Sequence, residues 1–393
     1  MANIRFRADT TNSFFGNFLY SQVLPKENFL VRMKDEIPWE KFTLGMLSAY
    51  KGGGEYGPTP YAPDKILRML LIPYLFNISE REAESVVRFN LLAKYFVGLG
   101  VDELPPDNST LTVFKERLLK AQGQKAWESL FNKIIIFAKR KKIVFGKLQI
   151  IDSTHTTANV NLEKEKQRQR KQGYGKNLPR DPDASFKTKG LKERQTREGK
   201  NIMVKDQIYG FKAHTSLNQE MGLITSLKIT TAKEDDGKHL QVLVEKDERL
   251  GITDTKQTDQ TKQNIYTADK AYDDGDNHEY LKEKNLVSAI ILKETRIKKK
   301  DPHKEPWLAM IASPTYQESV KKRKQIEKKF GEEKTRHGFD HCRYLGLKKY
   351  AIQAYLTAMV VNLKRIMLLT SLENQVCLVK VPLNCHPPRR YCN

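Results

Sequence analysis

The stretch VKKRKQIEKKFGEEK, Val320 to Lys334, carries three polar residues whose types and spacing suit phosphate chemistry. Arg323 and Glu327 are four positions apart, and Glu327 and Lys334 are seven apart, one and two helical turns. Ile326 and Phe330 are the apolar positions of an otherwise charged run, so the stretch reads as a helix with one buried side. Arg323, Glu327 and Lys334 then project from about the same face. A carboxylate flanked by cations can hold a hard metal ion while the cations take phosphate oxygens. A solvated Lys/Glu helix with i,i+4 pairs has the same pattern. The stretch therefore carries chemistry only if further carboxylates meet it where strands end.

Two such carboxylates are present. Lys147–Ile151 is a short β-type run ending at Asp152, and Asn264–Ala268 is another ending at Asp269, with Lys270 next to it. Gln207–Leu217 and Gly222–Thr230 read as a hairpin, and Leu286–Leu292 as an apolar strand. Lys238–Leu250, Asn277–Lys284 and Ala351–Leu369 read as helices. Three strands followed by alternating helices and strands imply an α/β fold, a mixed sheet flanked by helices. In such a sheet the strands ending at Asp152 and Asp269 can be neighbours, and a later helix can bring Glu327 to their ends. Three converging carboxylates make a Mg²⁺ site, of the two-metal kind. Each Asp alone reads as a turn or cap residue. The triple says more, because every member falls at the same kind of place.

Upstream, Pro38 to about Leu119 has a helical pattern, with Pro63 and Asp64 at one start and Ser79 and Glu82 as a capping box at another. The expected organisation is an all-helical domain over 1–125, which on so basic a chain suits a DNA reader, a basic linker helix over 126–146, and a mixed-sheet domain over 147–370. An irregular tail over 371–393 follows. Residues 160–205 are too long for a hairpin loop. They hold 14 Lys/Arg and 6 Asp/Glu, more than a third of the chain's excess charge in about an eighth of its length. The expectation is a basic arm that tracks DNA backbone, with Arg168, Arg170 and Lys171 among its contacts; a solvated insertion is the alternative.

The whole chain has 69 Lys+Arg against 47 Asp+Glu, a net charge of +22, which favours a polyanionic partner. Four cysteines (Cys342, Cys377, Cys385 and Cys392) form no dense framework, and the N-terminus lacks a secretory signal pattern, so a reducing compartment is expected. His337, His341 and Cys342, and Cys385-His386 with Cys377 and Cys392, match no common zinc spacing. Ala351–Leu369 is interrupted by Lys364 and Arg365, and no membrane span is expected.

Together these stretches resemble the insertion-sequence DDE transposases, whose catalytic domain is RNase H-like. IIDSTHTTAN around Asp152, YTADKAYDD around Asp269, and an R-x3-E-x6-K signature at Arg323, Glu327 and Lys334 carry the resemblance. YGFKAHTSL, ITTAKEDDGKHL and HGFDHCRYLGLKK are similar to the family's strands and C-terminal continuation. YAPDKILRMLL, SEREAE and PPDNSTLTVFKERL are similar to its preceding helical domain. The family's usual Tyr three residues before the Arg is Val320 here, with Tyr316 one turn earlier as a substitute.

The resemblance implies an RNase H-like α/β catalytic domain with a mixed five-stranded sheet over 147–370, behind an all-helical DNA-end-binding domain over 1–125. It implies catalysis by Asp152, Asp269 and Glu327 holding two Mg²⁺ ions, with Mn²⁺ able to substitute. Arg323, Lys334 and Lys270 would contact DNA. The partners would be double-stranded DNA, as terminal inverted repeats and target, and a second copy of the chain in the synaptic complex. The place of action would be the prokaryotic cytoplasm, at the nucleoid. Two further readings stay open: a metal-dependent endonuclease of the same fold without strand transfer, and a non-catalytic DNA-binding derivative.

Overall fold

The computed structural model describes residues 4–8, 14–50, 59–170, 178–195, 199, 201–259, 261–297 and 304–375. Its centre is a six-stranded mixed sheet: β1 (Leu148–Thr157), β2 (Ser185–Gln195), β3 (Asn201–Asn218), β4 (Leu223–Thr231), β5 (Ile265–Ala268) and β6 (Val287–Ser288). β3 runs antiparallel between β1 and β4, while β5 and β6 add to β1 in parallel. The five strands β4-β3-β1-β5-β6 are the expected mixed sheet. The sixth, β2, comes from within the basic insertion and pairs with the first half of β3. The apolar run expected as a strand over Leu286–Leu292 forms only the two-residue β6.

β3 is buried on both sides from Tyr209 to Asn218 because helices cover both faces of the sheet. One face meets the helix Leu240–Arg249, whose Leu240, Leu243 and Val244 join Ile151, Tyr266 and Tyr272. The other face meets the long helix Leu347–Gln375 and the helix Lys125–Arg140. Lys125–Arg140, in the segment expected as a linker, buries Trp127, Leu130, Phe131, Ile134 and Ile135 along one side. Gly210 lets β3 pass β1 closely, since a Cβ there would lie 2.1 Å from the Thr156 carbonyl oxygen.

Leu347–Ser371 is long and apolar enough to cross a membrane, but 78% of its most apolar window is buried inside the protein, so it is a core helix. The helix runs on to Gln375, five residues into the tail expected as irregular; residues 376–393, with Cys377, Cys385 and Cys392, lie outside the described residues.

The helical region before residue 125 is built as its caps dictate. Pro63 sits in the first turn of Pro63–Phe76, and the Ser79/Glu82 capping box opens Glu80–Phe89. Its core is continuous with that of the sheet region: one cluster runs from Leu30 to Met367. Arg32 donates to the Met367 carbonyl (2.9 Å) and to Thr370 Oγ1 (2.9 Å) on the long helix.

Candidate active site

The parallel register of β1 and β5 sets Ile151 opposite Ala268. Asp152 and Asp269, each the next residue, therefore stand side by side at the same level of two adjacent strands. β5 stops there because Asp269 caps the following turn, its Oδ1 accepting from the Ala271 N–H (2.8 Å). β1 continues past Asp152, which pairs with Thr215 of β3.

The stretch read as one helix over Val320–Lys334 is two. Pro314–Lys322 and Lys324–His337 meet at Arg323. The one-turn relation survives the junction. Arg323 Nη2 donates to Glu327 Oε1 (2.9 Å) and Nη1 to Asp152 Oδ2 (3.2 Å), so one guanidinium links the helix to the strand. Ile326 and Phe330 are buried in the core, as their spacing required.

Burial pushes the Asp152 carboxyl up to about 6; the Ser153 N–H it accepts pulls the other way, the charge of Asp269 adds to the rise, and Arg323 opposes it. Burial thus outweighs the Arg323 ion pair. Asp152, Asp269 and Glu327 carry the oxygen donors that a hard divalent ion takes. Arg323 now lies between Asp152 and Glu327, and among the described residues no three His, Cys, Asp or Glu side chains are grouped to hold an ion. His337, one of the residues weighed for zinc, instead has Nδ1 2.7 Å from the Tyr74 carbonyl.

Lys334 is partly buried, its ammonium pKa lowered by burial and then by Lys189 nearby. Lys270 is exposed beside Asp269. Arg168 pairs with buried Glu165 (2.5 Å) on the helix Leu162–Arg170. The Arg170 side chain and Lys171 lie outside the described residues. Tyr316 is buried, its hydroxyl bonded to the backbone at Leu292, so it does not take the place of the missing surface Tyr.

A polar cluster that no motif spacing announces lies behind the carboxylates. Lys212, fully buried on β3, binds Asp236 Oδ1 (2.9 Å) and the Glu234 carbonyl (2.8 Å). His214 Nδ1 lies 3.4 Å from the same Asp236 oxygen, and its ring meets that of His239 at 4.2 Å. Asp236 also bears on Asp152 electrostatically. Burial, reinforced by neighbouring cations, lowers the pKa of both His155 and His214 and holds their rings neutral. The signal was the polar alternation Lys212, His214, Ser216 along an otherwise apolar strand.

A mixed sheet flanked by helices, with acidic side chains side by side on adjacent parallel strands, is the architecture of a DDE-type nucleic-acid enzyme. Residues 145–363, more than half of the chain, match the Transposase DDE domain family, and residues 18–117 match the Transposase domain (DUF772). The chain belongs to the Transposase DDE domain family, whose members use divalent metal ions, and it is a DNA transposase. A solved structure of a piggyBac transposase synaptic complex with hairpin DNA is similar over 94% of this chain and 78% of that one, at 10% identity and a TM-score of 0.41.

Proposed function

We propose that the protein cuts phosphodiester bonds at transposon ends and joins the freed 3′-OH to target DNA, using Asp152, Asp269 and Glu327 as ligands for two Mg²⁺ ions, for which Mn²⁺ can substitute. The observation that carries this is the pairing of Ile151 with Ala268, which sets two aspartates side by side under an Arg–Glu helix. When bound, divalent ions supply Lewis-acid activation of the attacking oxygen and charge stabilisation of the leaving one.

The chain's own residues do the rest. Asp152 and Asp269 hold their places through the β1–β5 ladder. Arg323 and Lys334 take phosphate oxygens and so position the strand without reading sequence. Lys270, exposed next to Asp269, adds a third cation. The Lys212–Asp236–His214 cluster fixes the backbone behind Asp152. Residues 1–125 form the part that reads the inverted repeats, 147–370 the catalytic part. Two copies bring two ends together, in the prokaryotic cytoplasm at the nucleoid.

The test is a supercoiled plasmid carrying the ends of the source element, incubated with protein and Mg²⁺, with the broken strands mapped. Asp152→Asn, Asp269→Asn and Glu327→Gln are each expected to abolish end breaks while duplex binding persists. Breaks followed by joining support transposition in full. Breaks without joining would make the protein an endonuclease. Full cleavage by any of the three variants would overturn the assignment.

A further inference from the structure

β2 and the first half of β3, residues 201–210, form a two-stranded ribbon that leaves the body of the sheet. Most of its side chains are exposed, whereas the second half of β3 is buried between β1 and β4. Its base is held firmly. The Tyr209 hydroxyl donates to the Asp181 carbonyl (2.6 Å). The carboxylates of Asp181 and Asp183 accept from the Gly346 and Leu347 N–H groups (2.9 and 3.0 Å) at the start of the long helix.

Two properties of the ribbon call for a partner. Its two strands, 185–195 and 201–210, carry five Lys/Arg against two Asp/Glu. Among the described residues, Lys187, Lys189, Lys192 and Lys205 pair with no acid. Aliphatic side chains stand beside these cations, with Leu191 64% and Ile202 46% exposed. The register puts Lys192 opposite Val204 on one face and Leu191 opposite Lys205 on the other. Cations thus occur on both faces, which an apolar contact with another protein would not need.

The ribbon also begins at the candidate site. The bulge between Thr188 and Gly190 throws out Lys189, whose charge bears on Lys334 and His155. A duplex whose phosphates sit on Lys334 therefore passes the foot of the ribbon.

We propose that this ribbon is a DNA arm that enters the major groove of the duplex beside the cleavage position, a reading that rests on the proposed end cleavage. A major groove about 12 Å wide admits a two-stranded β-ribbon. Ten residues of strand at about 3.3 Å each span roughly one turn of B-DNA. The lysines on both faces reach the phosphate walls on either side, and Leu191 and Met203 (61% exposed), which the register sets on one face, meet base edges, where thymine methyl groups offer apolar contact.

The experiment measures binding of the full chain to a duplex of an element end with its flanking DNA, across a salt series, with guanine-N7 methylation footprinting. Replacing Lys187, Lys189, Lys192 and Lys205 together by Ala is expected to lower the salt slope by about 3 to 4, at about 0.9 per phosphate contact. About one turn of major-groove protection next to the cut position should disappear. The same four positions changed to Arg should keep both. Leu191→Ser with Met203→Ser should weaken binding several-fold and leave the slope unchanged.

An unchanged slope and footprint in the Ala variant overturns the arm. If the wild type still cuts ends and Lys334→Ala still lowers the slope by about one, the end-cleavage reading survives that failure. If the wild type protects the groove but Asp152→Asn breaks the ends as well as the wild type, the cleavage reading fails separately. A change of oligomeric state by light scattering, with DNA binding intact, makes the ribbon a protein interface and also overturns the proposal.

Discussion

At the scale of single residues, Arg323 is the pivot. Its guanidinium now meets the Asp152 and Glu327 carboxylates that a divalent ion would need. A guanidinium and a divalent ion compete for those oxygens, and a DNA phosphate would draw the guanidinium away. Arg323→Ala is therefore expected to bind Mn²⁺ roughly three- to tenfold more tightly without DNA, about 0.7–1.4 kcal/mol. Titration of free Mn²⁺ by electron paramagnetic resonance reads this directly; unchanged or weaker binding would refute the competition. Glu333, on the same helix, is 2% exposed, and burial pushes its carboxyl up to about 8 despite Lys329 and Lys334 nearby. Its folded pKa lies above the unfolded value, so the folded state holds the extra proton. The resulting stability is present in acid and is lost as pH rises from about 4.5 towards 8. Gln imitates the protonated form, so Glu333→Gln should lose less thermal stability than wild type between pH 6 and 8.5; equal losses by calorimetry would refute this. Asp152 and Asp269 were legible because each closes an apolar β run, whereas Asp236 and Lys212 meet only through a fold-level contact between a strand and a loop.

At the scale of elements, β4 shows what the long helix contributes. Among the described residues β4 is an edge strand whose one partner is β3, with Ile224 opposite Leu217. The N–H and C=O of Ile224 turn to the open side of that edge, towards the long helix. Asn362 supplies both partners, its Oδ1 accepting from the Ile224 N–H (2.9 Å) and its Nδ2 donating to the Ile224 carbonyl (2.8 Å). All of these atoms are buried, so removing the amide leaves a donor and an acceptor with no water to replace it. Asn362→Leu, close in volume, is expected to cost about 3 kcal/mol. Urea unfolding checks the figure; a loss below about 1 kcal/mol would mean that the edge is satisfied otherwise. The sequence showed this helix by its apolar stripe and β5 by its short run into Asp269. It hid β2, where Lys, Thr and Gly at the bulge break the period-two pattern and the composition matches a solvated loop. It also hid the break at Arg323, because the charge spacing is the same in one helix or two.

At the scale of the whole molecule, the helical region and the sheet region share one core. Residues as far apart as Leu30 and Met367 belong to one apolar cluster, a second lies on the sheet face under Leu240–Arg249, and the long helix touches helices from both regions as well as β3 and β4. Composition could not reveal this, since each region alone has enough apolar residues for a core of its own and only contacts distant in sequence join them. Polar links cross the same boundary: Lys141 with Glu36 (2.9 Å), Lys349 with Glu116 (3.0 Å), and Arg32 with the end of the long helix. A shared core makes the unfolding of one part expose the apolar surface of the other, which couples the two transitions. The chain is therefore expected to unfold in one calorimetric transition, and 1–146 expressed without the long helix should show no cooperative melt. Two resolved transitions, or a fragment 1–146 that melts sharply, would show instead that the core is divisible. A single unit has a mechanical consequence for end cleavage. A region that reads the repeat and a site that cuts beside it would hold a fixed separation, so the cut position would be set by the distance between them on one rigid body and not by the length of a tether. Inserting base pairs between the repeat and its end should then abolish correct cutting, with no shifted product.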